Sequence, residues 1–173
     1  MIFISGIHGV GKTHFCNIIK KELGFEAYSS SQLISQEKGK IFLNNKLTSD
    51  IEDNQYCLCK AVDELKNSVN TFLLDGHFCL LNEKGIITRI PMETFENIRP
   101  SLLILLTEEP EIIANRRFQR DGIMISIDEI ASFQNEEKNY AKTISDHLEI
   151  PLLISSGSDD YNRILDSIKK GLK

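Results

Sequence analysis

Near the start of the chain, two glycines separated by four residues are followed at once by a lysine and a threonine. Gly6, Gly11, Lys12 and Thr13 match the pattern G-x-x-x-x-G-K-[ST]. A short apolar run at residues 2–4 precedes the pattern, and a helical spacing of apolar residues follows it. Glycines allow a tight turn whose N–H groups converge, and a helix beginning there directs its positive end to the same point. The stretch therefore predicts a phosphate-binding loop between a strand and a helix.

The side chains of this loop have predicted tasks. The Lys12 ammonium is expected to reach the β- and γ-phosphates of a nucleoside triphosphate, and the Thr13 hydroxyl is expected to bind Mg²⁺. Chance is the alternative, but the four fixed positions coincide on the order of once in a hundred chains of this length. We therefore predict nucleotide binding. The residues expected to contact the nucleotide are Gly6, His8, Gly9, Val10, Gly11, Lys12, Thr13 and His14.

Composition limits the classes of protein that fit. With 173 residues, 41% hydrophobic and 26% charged, the chain suits one globular domain over 1–173. No apolar run approaches membrane-spanning length, and a secretory signal pattern is missing, so we expect a cytoplasmic protein without a membrane partner. The net charge of −5 argues against a stable nucleic-acid complex. The four cysteines follow neither a disulfide nor a zinc spacing, which predicts free thiols.

Alternating strand and helix patterns predict the fold class. Apolar runs near residues 2–4, 25–28, 71–75, 102–106 and 151–154 predict five strands, and helical patterns separate them. Several of these runs are apolar throughout, which is typical of strands buried on both faces. We therefore expect a three-layer α/β fold of the P-loop NTPase type, with a five-stranded parallel sheet and helices on both faces.

The segment 29–60 is predicted to be a polar helical excursion from the sheet. Serines at 29–31 predict the N-cap of a short helix that ends near Gln36. The pattern weakens over residues 37–45, where we expect a mobile loop. A longer helix is then predicted to start after Thr48 or Ser49 and to end near residue 68.

Asp75 follows the apolar residues of the third predicted strand. Phosphate-loop proteins place an acid there, opposite the hydroxyl of the loop, to hold the metal or its waters. A strand-ending Asp that caps an Asp-Gly turn is the alternative. We assign Asp75 and Thr13 to the metal. His77, two residues further on, either orients an acceptor or bonds its strand neighbours.

Arg116, Arg117 and Arg120 form the only dense arginine cluster of the sequence. Arg116 and Arg120 are four residues apart and share a helix face. Planar guanidinium groups can stabilise the charge that spreads over the γ-phosphate oxygens during phosphoryl transfer. A solvated, salt-bridged helix end is the alternative. Since catalysis needs a cation beyond Lys12, we expect at least one of the three at the site. The predicted catalytic residues are Lys12, Asp75, Arg116 and Arg120, and Arg116 and Arg117 are predicted nucleotide contacts.

The order of these motifs resembles the small archaeal-type adenylate kinases and the wider group of nucleoside monophosphate kinase-like ATPases. The matching stretches are GIHGVGKT at 6–13, LDGH at 74–77, Gly85 with Pro91, RRFQRD at 116–121, and Gln134 with Ala141. The resemblance implies ATP with Mg²⁺ as donor and transfer of the γ-phosphoryl group to a small acceptor, with a nucleoside monophosphate as the leading candidate. It also implies acceptor binding by residues 29–60 and a short lid at 116–125.

One departure from the family concerns the acceptor. Many adenylate kinases hold the acceptor phosphate with arginine, but this sequence has no arginine before Arg89. Its segment 29–60 offers only lysines, which lack the fork geometry of a guanidinium. A different nucleotide, a nucleoside or another metabolite therefore stays open as acceptor. An ATP-hydrolysing switch that regulates a partner protein, or nucleotide binding without turnover, is the alternative from another class.

Overall fold

The computed structural model describes residues 1–42, 51–82 and 84–171. The strands are β1 Ile2–Ser5, β2 Glu26–Ser29, β3 Phe72–Asp75, β4 Cys79–Leu81, β5 Ile87–Arg89, β6 Leu102–Thr107 and β7 Leu152–Ser156. The helices are α1 Lys12–Leu23, α2 Ser30–Phe42, α3 Ile51–Ser68, α4 Met92–Ile98, α5 Pro110–Asp121, α6 Ile127–Leu148 and α7 Tyr161–Gly171.

Five strands form a parallel sheet in the order β2-β3-β1-β6-β7. Strand β1 is central, because Ile4 lies opposite Asp75 of β3 on one side and opposite Ile104 of β6 on the other. The remaining strands, β4 and β5, pair as an antiparallel hairpin. Because the carboxyl ends of parallel strands meet at one edge, the loop after β1 and the residues after β3 are neighbours.

Apolar side chains cover both faces of the sheet. Successive strand residues point to opposite faces, so Phe3 and Leu74 pack under α3, α4 and α6, whereas Ile4 and Leu73 pack under α1 and α7. All four side chains are almost completely buried, and each contributes about 1.5–3 kcal/mol of hydrophobic stabilisation. The strands are apolar throughout because helices cover both faces. The predicted three-layer α/β fold is confirmed.

Helix α2 is longer than the sequence predicts. It continues to Phe42, so a helix ending near Gln36 with a mobile loop after it is wrong for residues 37–42. Residues 43–45 of that loop, and the helix start predicted after Thr48 or Ser49, lie outside the described residues. Buried Glu37 explains the extension, because its carboxylate accepts a hydrogen bond from Lys60 of α3 at 3.0 Å. This packing against α3 outweighs the low helix propensity of Gly39.

The four cysteines are free thiols, and Cys16 and Cys79 are buried. Burial raises the pKa of each of these two thiols to about 12. They are therefore protonated at neutral pH and behave as small apolar side chains. None of the helices in the described parts of the chain has the length and apolarity needed to cross a bilayer.

Candidate active site

The loop between β1 and α1 has the conformation that its glycines predict. Gly6, Gly9 and Gly11 have φ angles of +145°, +91° and +110°, in the region that favours glycine. At Gly6 there is no room for a side chain, since a Cβ would lie 2.6 Å from the carbonyl oxygen of Leu106. Gly11 is the N-cap of α1 and has no side chain to occupy the first N–H groups of the helix. Those groups are available to an anion, which the helix dipole also favours.

Lys12 and Asp75 meet at the edge of the sheet. The Lys12 ammonium donates a hydrogen bond to the Gly6 carbonyl oxygen at 2.5 Å and lies 4.0 Å from a carboxylate oxygen of Asp75. Burial lowers the pKa of Lys12, and the nearby Asp75 opposes that shift. Burial likewise raises the pKa of Asp75, and Lys12 opposes the shift. The pair is thus partly desolvated, and a phosphate oxygen would be a stronger partner for the ammonium than the carbonyl is.

The surroundings of Thr13 and Asp75 fit a hard cation that shares its ligands with phosphate. Both residues line the same cavity, and the Asp75 side chain keeps 24% of its surface exposed. No group of three or more histidine, cysteine, aspartate or glutamate side chains suited to a metal occurs among the described residues. A metal here would need phosphate oxygens and water to complete its shell, which is the usual state of Mg²⁺ in such enzymes.

The predicted arginines lie around the loop but differ in their contacts. The Arg116 guanidinium donates to the Val10 carbonyl oxygen at 3.2 Å and to a Glu108 carboxylate oxygen at 3.1 Å. The Arg117 stem covers Gly9, where a Cβ would lie 2.8 Å from its Cγ. The Nε of Arg117 is buried and has no hydrogen-bond partner within the described structure.

Arg120 is the most exposed of the three arginines. Its side chain is 61% exposed and makes two hydrogen bonds to the Asp121 carboxylate, at 2.7 and 2.6 Å. Asp121 raises the pKa of Arg120 through these hydrogen bonds. Arg116 and Arg120 line the same cavity as Lys12, in agreement with the predicted shared helix face.

Two predicted loop contacts have special positions. The Val10 side chain is 1% exposed and belongs to the core, so only its backbone can face a ligand. His14 lines the cavity and lies 6.2 Å from the Tyr161 ring, measured between ring centroids.

The rings of His8 and His77 contact each other beside the loop, with centroids 4.6 Å apart and planes tilted by 51°. Burial, followed by the positive charge of Lys12, lowers the pKa of His77 to about 2. Burial also lowers the pKa of His8. His77 is therefore neutral at physiological pH, and its buried Nδ1 has no hydrogen-bond partner among the described residues. A neutral imidazole can donate or accept one hydrogen bond to a ligand here.

Sequence reasoning missed Glu137, a completely buried carboxylate of α6. It accepts hydrogen bonds from the Ser5 hydroxyl at 2.6 Å and from the backbone N–H groups of Phe78 and Cys79 at 3.0 and 2.9 Å. Burial raises the pKa of Glu137, and the Ser5 hydrogen bond opposes the shift. Glu137 thus ties α6 to the end of β1 and to the turn after β3. Its burial could have been recognised from its position four residues before Ala141, because residues at this spacing share one face of a helix and Ala141 is on the apolar face of α6.

A cavity of about 750 Å³ connects the phosphate loop with α2 and α3. We define its loop wall as His8, Gly9, Gly11, Lys12, Thr13, His14, Arg116 and Arg120. We define its polar wall as Ser29, Ser30, Ser31, Ser35, Asn54 and Gln55. Asp75, Gly76 and His77 also line the cavity, and its apolar surface includes Phe3, Leu58 and Phe95.

The sheet order, the glycine loop after β1 and the acid at the end of β3 are features of the P-loop kinases. The AAA_17 family model, described as an AAA domain, matches residues 5–134, well over half of the chain, so the chain belongs to this family of P-loop kinases.

Three similar proteins with known names are kinases, but their names give different acceptors. An adenylate kinase of Thermoplasma volcanium is 23% identical over 117 residues, which are 66% of this chain and 65% of that protein. An adenylate kinase of Thermoplasma acidophilum is 25% identical over 117 residues, which are 66% of this chain and 64% of that protein. The match therefore spans just under two thirds of the length of these relatives. A gluconokinase structure from Sinorhizobium meliloti 1021 superposes with a TM-score of 0.55 at 15% identity, covering 95% of this chain and 86% of that chain, and shows the fold alone.

Proposed function

We propose that this chain is an ATP-dependent phosphotransferase that moves the γ-phosphoryl group of ATP to a small acceptor. One observation carries the proposal: a continuous cavity joins the phosphate loop to a wall of hydroxyl and carboxamide side chains on other helices. A protein that only bound and hydrolysed ATP would not need this second, hydrogen-bonding wall. The adenylate kinase names of the curated relatives support the same class of reaction.

The donor half of the reaction belongs to the loop wall. Loop N–H groups and the first turn of α1 bind the phosphates, and the Lys12 ammonium exchanges the Gly6 carbonyl for phosphate oxygens. Thr13 and Asp75 would hold Mg²⁺, which when bound neutralises charge on the triphosphate. The backbone of the loop is already formed before the nucleotide arrives, so little backbone reorganisation is needed during the transfer.

Arg116 and Arg120 would act at the transferred group in different ways. Arg116 is already held against the loop by Val10 and Glu108. Arg120 lines the cavity but is exposed and bound to its neighbour Asp121, so it must leave that ion pair to contact the phosphates. We therefore propose that residues 116–125 act as a lid that brings Arg120 in and excludes water.

The acceptor half belongs to the segment 29–60, which provides the polar wall of the cavity. A nucleoside monophosphate is the reference acceptor, since the curated relatives are named adenylate kinases. Asp75 and the neutral His77 lie between the two walls, where donor and acceptor would meet.

The test measures whether ADP formation depends on an acceptor. Purified protein is incubated with ATP, Mg²⁺ and a panel of nucleosides, nucleoside monophosphates and gluconate, and both ADP and the phosphorylated product are quantified. We expect at least one acceptor to raise ADP formation well above the rate without acceptor, with equal amounts of ADP and product. If every acceptor leaves ADP formation unchanged and the only product is inorganic phosphate, the protein is an ATP hydrolase and the proposal is wrong.

A further inference from the structure

The polar wall of the cavity is uncharged. Its six side chains are four hydroxyl and two carboxamide groups. The lysine and arginine side chains that line the described part of the cavity, Lys12, Arg116 and Arg120, all belong to the loop wall. These cations face the donor phosphates. An acceptor on the polar wall therefore meets hydrogen-bonding groups there and no guanidinium fork among the described residues.

Two groups of this wall are buried without a hydrogen-bond partner. The side-chain oxygen of Gln55 on α3 and the hydroxyl of Ser30 on α2 have none within the described structure, and Gln55 is only 8% exposed. Unpaired buried polar atoms are rare in proteins, because each one has lost its water without gaining a partner. Both residues line one cavity from separate helices, so a ligand bound there has two unpaired polar side chains beside it as candidate partners.

The surface beside these two groups is apolar and partly aromatic. The rings of Phe3 and Phe95 line the cavity and contact each other edge to face, with centroids 5.5 Å apart. Leu58, one helical turn after Asn54 in α3, also lines the cavity. Phe3, Phe95 and Leu58 are 0–4% exposed, so they form an apolar floor beneath the cavity. A floor of this kind suits a ligand with a flat apolar face better than a sugar, whose hydroxyls need partners on every side.

Because residue 76 is a glycine, the Ser30 hydroxyl can lie close to Asp75 and Lys12, where the phosphoryl group would be transferred. A Cβ at Gly76 would lie 2.8 Å from the Phe3 ring and 2.9 Å from the Ser30 hydroxyl oxygen. Only glycine allows this contact, and Gly76 directly follows Asp75, which lies 4.0 Å from Lys12. A ligand bound to Ser30 therefore lies next to the residues that hold the transferred group.

We propose that the acceptor is an uncharged hydroxyl compound with a flat heterocyclic face, the chemistry of a nucleoside, and that Gln55 and Ser30 determine this specificity. The inference rests on the proposed phosphotransferase function and changes its acceptor from a nucleoside monophosphate to a nucleoside. In the reaction the acceptor oxygen forms a bond to the γ-phosphorus while the bond from the γ-phosphorus to the β–γ bridging oxygen breaks. ADP leaves, and the hydroxyl proton passes to an oxygen of the transferred phosphoryl group and is released to solvent with the products.

The first test compares acceptors. With saturating ATP and Mg²⁺, kcat/KM is measured for adenosine, guanosine, cytidine and uridine, for their 5′-monophosphates and for gluconate. We expect the best nucleoside to exceed its own monophosphate by tenfold or more. Equal or better use of a monophosphate, or use of gluconate alone, overturns this inference and leaves the phosphotransferase function standing. No response to any acceptor overturns the function itself.

The second test changes the two unpaired groups. Gln55→Leu removes the carboxamide at similar volume, and Ser30→Ala removes the hydroxyl. We expect each to raise the nucleoside KM by roughly tenfold, the loss of about one buried hydrogen bond, with a smaller change in kcat. Gln32→Leu makes the same chemical change on the exposed side of α2 and is expected to keep the wild-type KM.

A stability measurement separates recognition of the acceptor from a purely structural role. If the Gln55 oxygen gains a hydrogen bond only when a ligand is bound, Gln55→Leu removes a buried unpaired oxygen from the unliganded protein. The thermal midpoint of the unliganded variant should then be unchanged or higher. A lower midpoint with an unchanged nucleoside KM would show that Gln55 serves the fold and would overturn the assignment. Ser30→Ala removes a single oxygen and gives an independent reading of the KM.

Discussion

The ammonium of Lys12 lies 4.0 Å from a carboxylate oxygen of Asp75, although 63 positions separate the two residues in the chain. The contact follows from the sheet, in which β1 and β3 are parallel neighbours and Ile4 lies opposite Asp75. Asp75 is the last residue of β3, and Lys12 is the first residue of α1, after the loop that follows β1. Burial lowers the pKa of Lys12 and raises that of Asp75, and each charge opposes the shift of the other.

Replacing Lys12 tests the donor half of the site. We expect Lys12→Ala to lower kcat/KM by about 10²–10³, the cost of losing one preorganised charge at the transferred group. The fold should persist, because Lys12 lies outside both apolar core clusters and, within the described structure, its ammonium bonds only the Gly6 carbonyl of the loop and faces Asp75. Acceptor-dependent ADP formation measures the loss, and circular dichroism checks the fold. Lys20→Ala, an exposed lysine of the same helix, is the matched control; wild-type turnover by Lys12→Ala would refute the site assignment.

Arg120 provides a test of the lid. Arg120→Ala is expected to lower kcat with little change in the thermal midpoint, since its ion pair with Asp121 is solvent-exposed. Arg116→Ala should lower both, because the Arg116 guanidinium also joins α5 to the Val10 carbonyl and Glu108. Steady-state kinetics and thermal unfolding on both variants give the comparison. An unchanged kcat for Arg120→Ala would mean that this arginine stays in solvent throughout the reaction.

The phosphate loop and the strand pattern were predictable because each depends on local chemistry. Glycines at Gly6 and Gly11 are required by backbone angles that other residues rarely adopt, and the apolar strands reflect burial on both faces. Glu137 was not predictable in the same way. Its partners, Ser5 and the turn after β3, lie 58 to 132 residues away in the chain, and a lone glutamate on a helix is usually solvated. Only the three-dimensional fold brings these partners together.

The length of α2 was not predictable either, because a contact with a distant part of the chain determines it. Local propensity around Gly39 favours a break, but Glu37 is buried against α3 and holds the helix through its hydrogen bond with Lys60. The Glu37–Lys60 hydrogen bond, which joins two helices, thus outweighs the local helix propensity around Gly39. The polar wall likewise depends on α2 and α3 meeting, so its unpaired Ser30 and Gln55 could not be recognised from the sequence.

Gly39 therefore offers a prediction on stability. Its position lies within α2, and a Cβ there would meet nothing within 4 Å. Gly39→Ala should raise the free energy of unfolding by about 0.5–1 kcal/mol, because alanine loses less backbone entropy in a helix. Urea denaturation measures the change. Gly24→Ala is the contrasting variant, since Gly24 has equal space but a φ of +72° and should be destabilised. A destabilised Gly39→Ala would indicate that residue 39 is not helical in solution.

Glu137 gives the sharpest prediction on the framework of the site. Glu137→Ala leaves the Ser5 hydroxyl and the Cys79 N–H without their acceptor, at about 1–3 kcal/mol for each buried group left unpaired. The Phe78 N–H keeps only its second acceptor, the Ser5 oxygen at 3.1 Å. Glu137→Gln keeps one oxygen for the two N–H groups, and its amide can donate to the Ser5 oxygen. Urea denaturation should therefore rank the wild type and Glu137→Gln well above Glu137→Ala.

The pH dependence of this variant pair follows from the direction of the pKa shift. Burial raises the pKa of Glu137 above its ordinary value of 4.5, so the folded protein binds the proton more tightly than the unfolded chain. The stabilisation from the protonated form is complete below the unfolded pKa of about 4.5 and is lost as the pH rises from there through the raised folded pKa. Glu137→Gln cannot ionise, so its stability relative to the wild type should increase from acid to neutral pH. A difference that stays constant with pH would mean that Glu137 has the same proton affinity in the folded and unfolded chains.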